Sequence, residues 1–155
     1  MSAVTIAFLA DHLALSRVVG AWHWSEWGEE DPGGSAESWS ASLARRAGRG
    51  EVPTVWVAFH DEAPVGSVVL TDHDMDTRPN YTPWLAGLYA LPTFRAQGIG
   101  QRLVQTCEHA AQELGYRTLY LQTEIPDFYA KLGWSAISRE QYLGSNVTVM
   151  TRALS

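Results

Sequence analysis

A mixed α/β fold, three-layered around one mixed sheet with a central parallel βαβ unit, is what this chain of 155 residues predicts. Three observations carry it. An apolar run, Trp84 to Leu91, passes through the turn Arg95-Ala96-Gln97-Gly98-Ile99-Gly100 into an amphipathic run, Gly100 to Leu114. A further β-type run, Thr118 to Thr123, follows, and a strand-helix-strand unit of this kind is parallel and right-handed. On either side, Thr54 to Phe59 with Val65 to Leu70, and Trp134 to Leu143 with Val147 to Leu154, read as antiparallel hairpins. The length suits one domain over residues 1–155, large enough to bury a core without covalent staples.

In chain order, Val4 to Leu9 predicts the first strand, and Asp11 the N-cap of a helix. Leu15, Val18, Val19 and Trp22 recur at i, i+3, i+4 and i+7, giving that helix an apolar face. The pattern gives way at Trp24-Ser25-Glu26-Trp27-Gly28-Glu29-Glu30-Asp31-Pro32-Gly33-Gly34, whose glycines and proline predict an aromatic, acidic loop. Ser35 caps a second helix carrying Ala36, Trp39, Leu43 and Ala47, with Gly48 as its stop. Beyond the first hairpin, the polar stretch Thr71 to Pro83 predicts a functional or mobile loop. Gly87 interrupts the next strand, as a bulge or a close backbone approach would require. The following helix aligns Ile99, Leu103, Cys107, Ala110 and Leu114 on one face, which makes Cys107 a core residue. Pro126 and Gly133 bracket a short helix, Asp127 to Leu132, and Gly144-Ser145-Asn146 turns the last hairpin.

Composition excludes several function classes. A formal charge of −6 offers no counter-charge for a phosphate polymer, so no nucleic-acid partner is expected. One cysteine allows no intrachain disulfide, which fits a reducing compartment. Met1 to Leu15 carries no basic start and no long apolar run, so neither a signal peptide nor a membrane partner is predicted, and the expected location is cytoplasmic. Asp72, His73, Asp74 and Asp76 lack a recognised ligand spacing, and no metal is expected.

The chemistry concentrates at the turn. Glycines let backbone N–H groups approach a ligand closely, and the helix that follows offers unpaired N–H groups and the positive end of its dipole. A phosphate suits such a place. The nucleotide P-loop ending Gly-Lys-Ser/Thr is missing, and the dinucleotide fingerprint would need a glycine where Leu103 stands. What remains, Arg95-x-x-Gly98-x-Gly100, is followed by Asp127-Phe128-Tyr129-Ala130-Lys131-Leu132-Gly133-Trp134. Together, in this order and on these elements, they resemble the pyrophosphate loop and the Phe-Tyr-x-Lys-Leu-Gly-aromatic segment of the GNAT superfamily of acyl-CoA-dependent N-acetyltransferases. The resemblance covers nearly the whole chain and is weakest from Trp22 to Glu51. The junction Leu121 to Tyr129 also resembles antibiotic-type members and actin N-terminal acetyltransferases.

The resemblance implies the GNAT fold with two splayed parallel strands, and acetyl-CoA as cosubstrate. Arg95, Ala96, Gln97, Gly98, Ile99, Gly100 and Gln101 would wrap its pyrophosphate, and Leu88, Tyr89 and Ala90 would pair with its pantetheine arm. An amine would attack the thioester directly in a ternary complex, with Tyr129 as general acid for the leaving thiolate and a backbone N–H near Leu88 or Tyr89 facing the oxyanion. The carboxylate base that some members carry before the phosphate loop has no counterpart, since Thr82 to Leu91 contains no acid. Glu124 is taken as the catalytic carboxylate, with His73, Asp74 and Glu26 as other candidates for the base.

Acceptor binding falls to Trp24, Glu26, Trp27, His73 and Asp74, in a lining with Glu29, Glu30, Asp31, Asp72 and Asp76 that suits a small cationic amine such as an aminoglycoside-like antibiotic or a polyamine. Acetylation of a peptide or protein N-terminus is the alternative reaction, and a non-catalytic acyl-CoA-binding regulatory domain the alternative of another class. A homodimer is compatible with the resemblance.

Overall fold

The computed structural model describes residues 4–155; Met1 to Ala3, part of the segment read as lacking a leader, lie outside the described residues. The strands are β1 (Val4–Phe8), β2 (Thr54–His60), β3 (Ala63–Thr71), β4 (Trp84–Ala90), β5 (Thr118–Thr123), β6 (Ser135–Tyr142) and β7 (Ser145–Ala153). They form one mixed sheet in the order β1-β2-β3-β4-β5-β7-β6, antiparallel except between β4 and β5. The α-helices are α1 (Ser16–Trp27), α2 (Ala36–Arg45), α3 (Ile99–Glu113) and α4 (Pro126–Ala130).

The central strands are covered on both faces, which is why β2 reads as an unbroken apolar run. Val55, Val57 and Phe59 pack with Val19 of α1 and Leu43 of α2, while Trp56 and Ala58 pack with Ile99, Leu103 and Cys107 of α3. The two-residue period of a strand thus divides one sequence run between two cores.

Several boundaries differ from the sequence expectations, each for a local reason. Asp11 caps no helix; Leu9–Leu15 is 3₁₀ structure broken at His12, α1 begins at Ser16, and the Asp11 carboxylate instead accepts from Arg49 Nε at 3.0 Å. The α1 helix runs through Trp24 to Trp27, because the first breaker in that stretch is Gly28. Its buried face is Ser16, Val19, Gly20 and His23, and Val18 is exposed. Gly20 explains the rotation: a Cβ there would stand 2.2 Å from Ser40 Oγ, so α2 crosses at the glycine. Ser35 does cap α2, accepting from Ser38 N at 3.0 Å while Ser38 Oγ accepts from Ser35 N at 2.9 Å. On α3, Ala111 is buried and Leu114, just past the last turn, is exposed. The final turn is Leu143-Gly144, both at positive φ, with Ser145 already paired to Tyr142.

The stretch between β3 and β4 is anchored on the sheet at three places. Met75 is buried with Trp84, Val147 and Val149, Arg78 makes an ion pair with Glu140 of β6, and Tyr81 stacks on Tyr120 of β5 at 4.5 Å. These contacts make the stretch a strap lying against the sheet.

Candidate active site

The parallel strands β4 and β5 share a single pair, Trp84 with Tyr120, supported by Tyr120 N donating to Pro83 O at 3.1 Å. Beyond it they separate. The cause lies on β4: Ser67 faces Tyr89 and Val69 faces Ala86, so Gly87 and Leu88 stand together opposite Val68. This is a bulge, with Gly87 at φ +57°, and it turns the strand away from β5.

At the open end of β4 the chain makes a 3₁₀ turn, Pro92–Phe94, and enters the Arg95-to-Gly100 turn. Ala96 and Gly98 both take left-handed backbone, at φ +67° and +80°. Nothing lies within 4 Å of where a Gly98 Cβ would stand, and no side chain caps the start of α3. The result is an exposed row of backbone N–H groups at the positive end of a fifteen-residue helix, a place that fits a pyrophosphate. Arg95 itself turns back: its Nε donates to Ala90 O at 2.9 Å and its guanidinium lies 5.6 Å from the centre of the Tyr89 ring. The second glycine serves packing, for Phe128 of α4 lies 3.2 Å from the Cβ position of Gly100. That contact brings the Phe-Tyr segment against the start of α3.

Tyr129 is buried between Phe128 and Trp134, both edge-on to its ring. Trp134 is held in turn by Nε1 donating to Glu108 Oε2 at 3.0 Å. Burial pushes the Tyr129 phenol above its ordinary pKa, and the neighbouring Cys107 thiol likewise. The phenol is therefore protonated at neutral pH.

On the face of the sheet away from α3, acidic groups from separate elements converge. Gln122 of β5 donates from Nε2 to Asp74 Oδ2 at 3.2 Å. Burial raises the Asp74 carboxyl to about 6, with Gln122 and Arg46 opposing the rise and Glu30 adding to it. Glu30 is raised by its own partial burial and by Glu124 nearby. Glu124 is exposed at the end of β5, and Glu26 and His73 are exposed. The two tryptophans part company. Trp24 packs on Trp39 of α2, whereas Trp27 stands edge-on to Tyr89 of β4 at 6.5 Å, and Trp22 stacks on that same ring at 5.4 Å.

One residue of this region escaped the sequence. His23, buried at 4 % exposure, has Nε2 2.8 Å from Ser67 Oγ, which donates to the Gly87 carbonyl at 3.0 Å. Its only sequence signal is its place four residues after Val19, where an apolar residue is the ordinary occupant. Burial, reinforced by Arg46, lowers its pKa to about 3. An unfolded chain takes up this proton below about 6.5 and the folded one only near the lowered value, so stability is expected to fall as pH drops from about 6.5 toward 3. Denaturant melts of the wild type and of His23→Gln across that range check it, and the variant should show the shallower slope.

Residues 18–134 match the sequence model of the acetyltransferase (GNAT) family. The chain belongs to that family. No curated protein matches it in sequence. Among solved structures, an aminoglycoside 6′-N-acetyltransferase complexed with coenzyme A superposes with a TM-score of 0.77 at 17% identity, over 97% of each chain. Ard1 from Thermoplasma volcanium gives 0.75 at 16% identity over 99% of each. The structure of yncA from Salmonella typhimurium with its cofactor acetyl-CoA gives 0.72 at 17% identity, over 99% of this chain and 95% of that one. At such identities the likeness is one of fold, and this GNAT domain shares it from end to end. Among the described residues no helix is long and apolar enough to cross a membrane.

Proposed function

We propose that this GNAT domain transfers the acetyl group of acetyl-CoA to a primary amine of a small cationic molecule, by direct attack in a ternary complex. The observation that carries the proposal is the opening between β4 and β5, with the uncapped start of α3 beside it and the Tyr129 helix packed on that start. Backbone groups of Arg95, Ala96, Gln97, Gly98, Ile99, Gly100 and Gln101 hold the pyrophosphate, and Leu88, Tyr89 and Ala90 the pantetheine amides.

The amine nitrogen forms a bond to the thioester carbon, the C–S bond breaks, and the sulfur takes the Tyr129 phenolic proton, which solvent then replaces. Burial raises the Tyr129 phenol, which keeps its proton in place until the thiolate departs. The acceptor ammonium must first lose a proton. Asp74, titrating at about 6, is the acid best tuned to take it, with Glu124 at the rim to pass it to water. Rate should accordingly rise with pH through about 6, where Asp74 loses its proton, and level above it. In Asp74→Asn that limb should vanish and kcat/KM fall about tenfold or more near neutrality, as a pH series of kcat/KM would read.

Glu30, Asp74 and Glu124, with the Trp27 face, supply the attraction for a cation. Mixing protein, acetyl-CoA and a panel of polyamines, aminoglycosides, neutral amines and peptide N-termini, and following free thiol, tests the whole proposal. Equal kcat/KM for neutral and cationic amines would remove the role of the acids. No turnover beside tight acetyl-CoA binding would point to a binding module.

A further inference from the structure

The β4 bulge is held from outside the strand. Ser67 has one hydroxyl proton, and it goes to the Gly87 carbonyl at 3.0 Å, so Ser67 Oγ is left as an acceptor. His23 Nε2, at 2.8 Å, must then be the donor to it. The imidazole is thus the neutral Nε2–H tautomer, with the chain of donation running His23 to Ser67 to Gly87. All three are packed tightly: His23 and Ser67 are buried at 4 % and 0 %, and a Cβ on Gly87 would stand 2.9 Å from His23 Cε1.

The consequence for the strand follows from peptide geometry. In a planar trans peptide the C=O and the next N–H point in opposite directions. With the Gly87 carbonyl turned toward Ser67 of β3 and His23 of α1, the Leu88 N–H points away from both. Neither Gly87 nor Leu88 has a ladder partner on β3 or on β5. We infer that His23, acting through Ser67, is a positioning residue that fixes the Gly87–Leu88 peptide plane so that the Leu88 N–H faces the thioester carbonyl of acetyl-CoA. This rests on the acetyl-CoA reading of the β4–β5 opening.

The test compares wild type, Ser67→Ala, His23→Leu and His23→Gln, each first shown to be folded by its melting transition. In ¹⁵N-labelled wild type the Leu88 amide proton should move downfield on addition of acetyl-CoA. In Ser67→Ala and His23→Leu that shift should be lost, kcat should fall about 10- to 100-fold, and KM for acetyl-CoA should change less than about threefold. Glutamine at position 23 keeps a donor, and should recover most of the kcat and the amide shift. An unchanged Leu88 shift with unchanged kcat in Ser67→Ala would overturn the inference. If His23→Leu does not fold, Ser67→Ala alone decides. A wild type that shows the amide shift but turns over no amine would leave the positioning standing and defeat the proposed transfer reaction; an absent shift in an active wild type would do the reverse.

Discussion

Tyr129→Phe is expected to lower kcat about 100-fold or more while leaving the affinity for acetyl-CoA within about threefold of wild type. The change removes one hydroxyl and keeps the ring that packs between Phe128 and Trp134, so a folded protein with a normal melting transition should result. The loss is asked of a single proton transfer. General acids of this kind contribute about 10²- to 10⁴-fold, and the phenol, raised by burial, is fully protonated across the working range. Steady-state rates with titration of acetyl-CoA binding make the measurement. A single-turnover experiment beside them separates chemistry from product release, and an unchanged chemical step would remove Tyr129 from the reaction.

Gly98→Val should act on binding in place of rate. At φ +80° a β-branched residue costs on the order of 2 kcal/mol or more of backbone strain, and the open space at its Cβ position is where the proposed pyrophosphate sits. Either the turn keeps its shape and the isopropyl group occupies that space, or it relaxes and the N–H row is lost. Both outcomes weaken acetyl-CoA by about 30-fold or more, since about 1.4 kcal/mol is already tenfold. Gly115→Val is the control. Gly115 also has left-handed backbone with nothing near its Cβ position, but it lies past the far end of α3. It should lose stability and keep its acetyl-CoA affinity, as calorimetric titration of both variants would read.

The physical reason the two variants separate is the division of labour in the site. In the proposed reaction the turn at Arg95 to Gly100 acts through backbone N–H groups, so only a change in backbone conformation or in free volume disturbs it. Tyr129, as the proposed general acid, acts through one side-chain atom. His23 and Ser67 stand between these cases, being side chains whose effect is the direction of a backbone group, and for that reason their removal should move kcat with little change in KM.

The strand, turn and helix around Arg95 to Gly100 were legible because their signals are written in consecutive residues. Arg95-x-x-Gly98-x-Gly100 needs a strand before it and a helix after it, and the apolar run and the amphipathic run that supply them adjoin it directly. Gly87 as a bulge was legible for a similar reason: a glycine in a buried strand has few other uses. Ser35 as a cap needed only its neighbour Ser38. In each case the forces concerned act between residues a few positions apart.

The side proposed for the acceptor was legible only as a composition. Trp24 and Trp27 look alike in sequence, yet Trp24 closes the contact between α1 and α2 while Trp27 reaches β4. Their stretch reads as loop because Gly28, Pro32, Gly33 and Gly34 follow it, and the helix extends to the last residue before them. Asp74 could not be told from Asp72 or Asp76 until the strap placed it on Gln122, where burial raises its carboxyl. His23 occupies an ordinary apolar position by spacing, and its partner Ser67 lies 44 residues away.

By itself, then, the sequence determined the order of elements, the family and the turn that joins β4 to α3, since periodicity, turn chemistry and helix ends are decided by near neighbours. Only the tertiary structure decided which acid is tuned, which tryptophan faces β4, and what holds the bulge. Those properties depend on burial and on hydrogen bonds between elements far apart in the chain, and desolvation is a property of the surroundings that no local residue pattern carries.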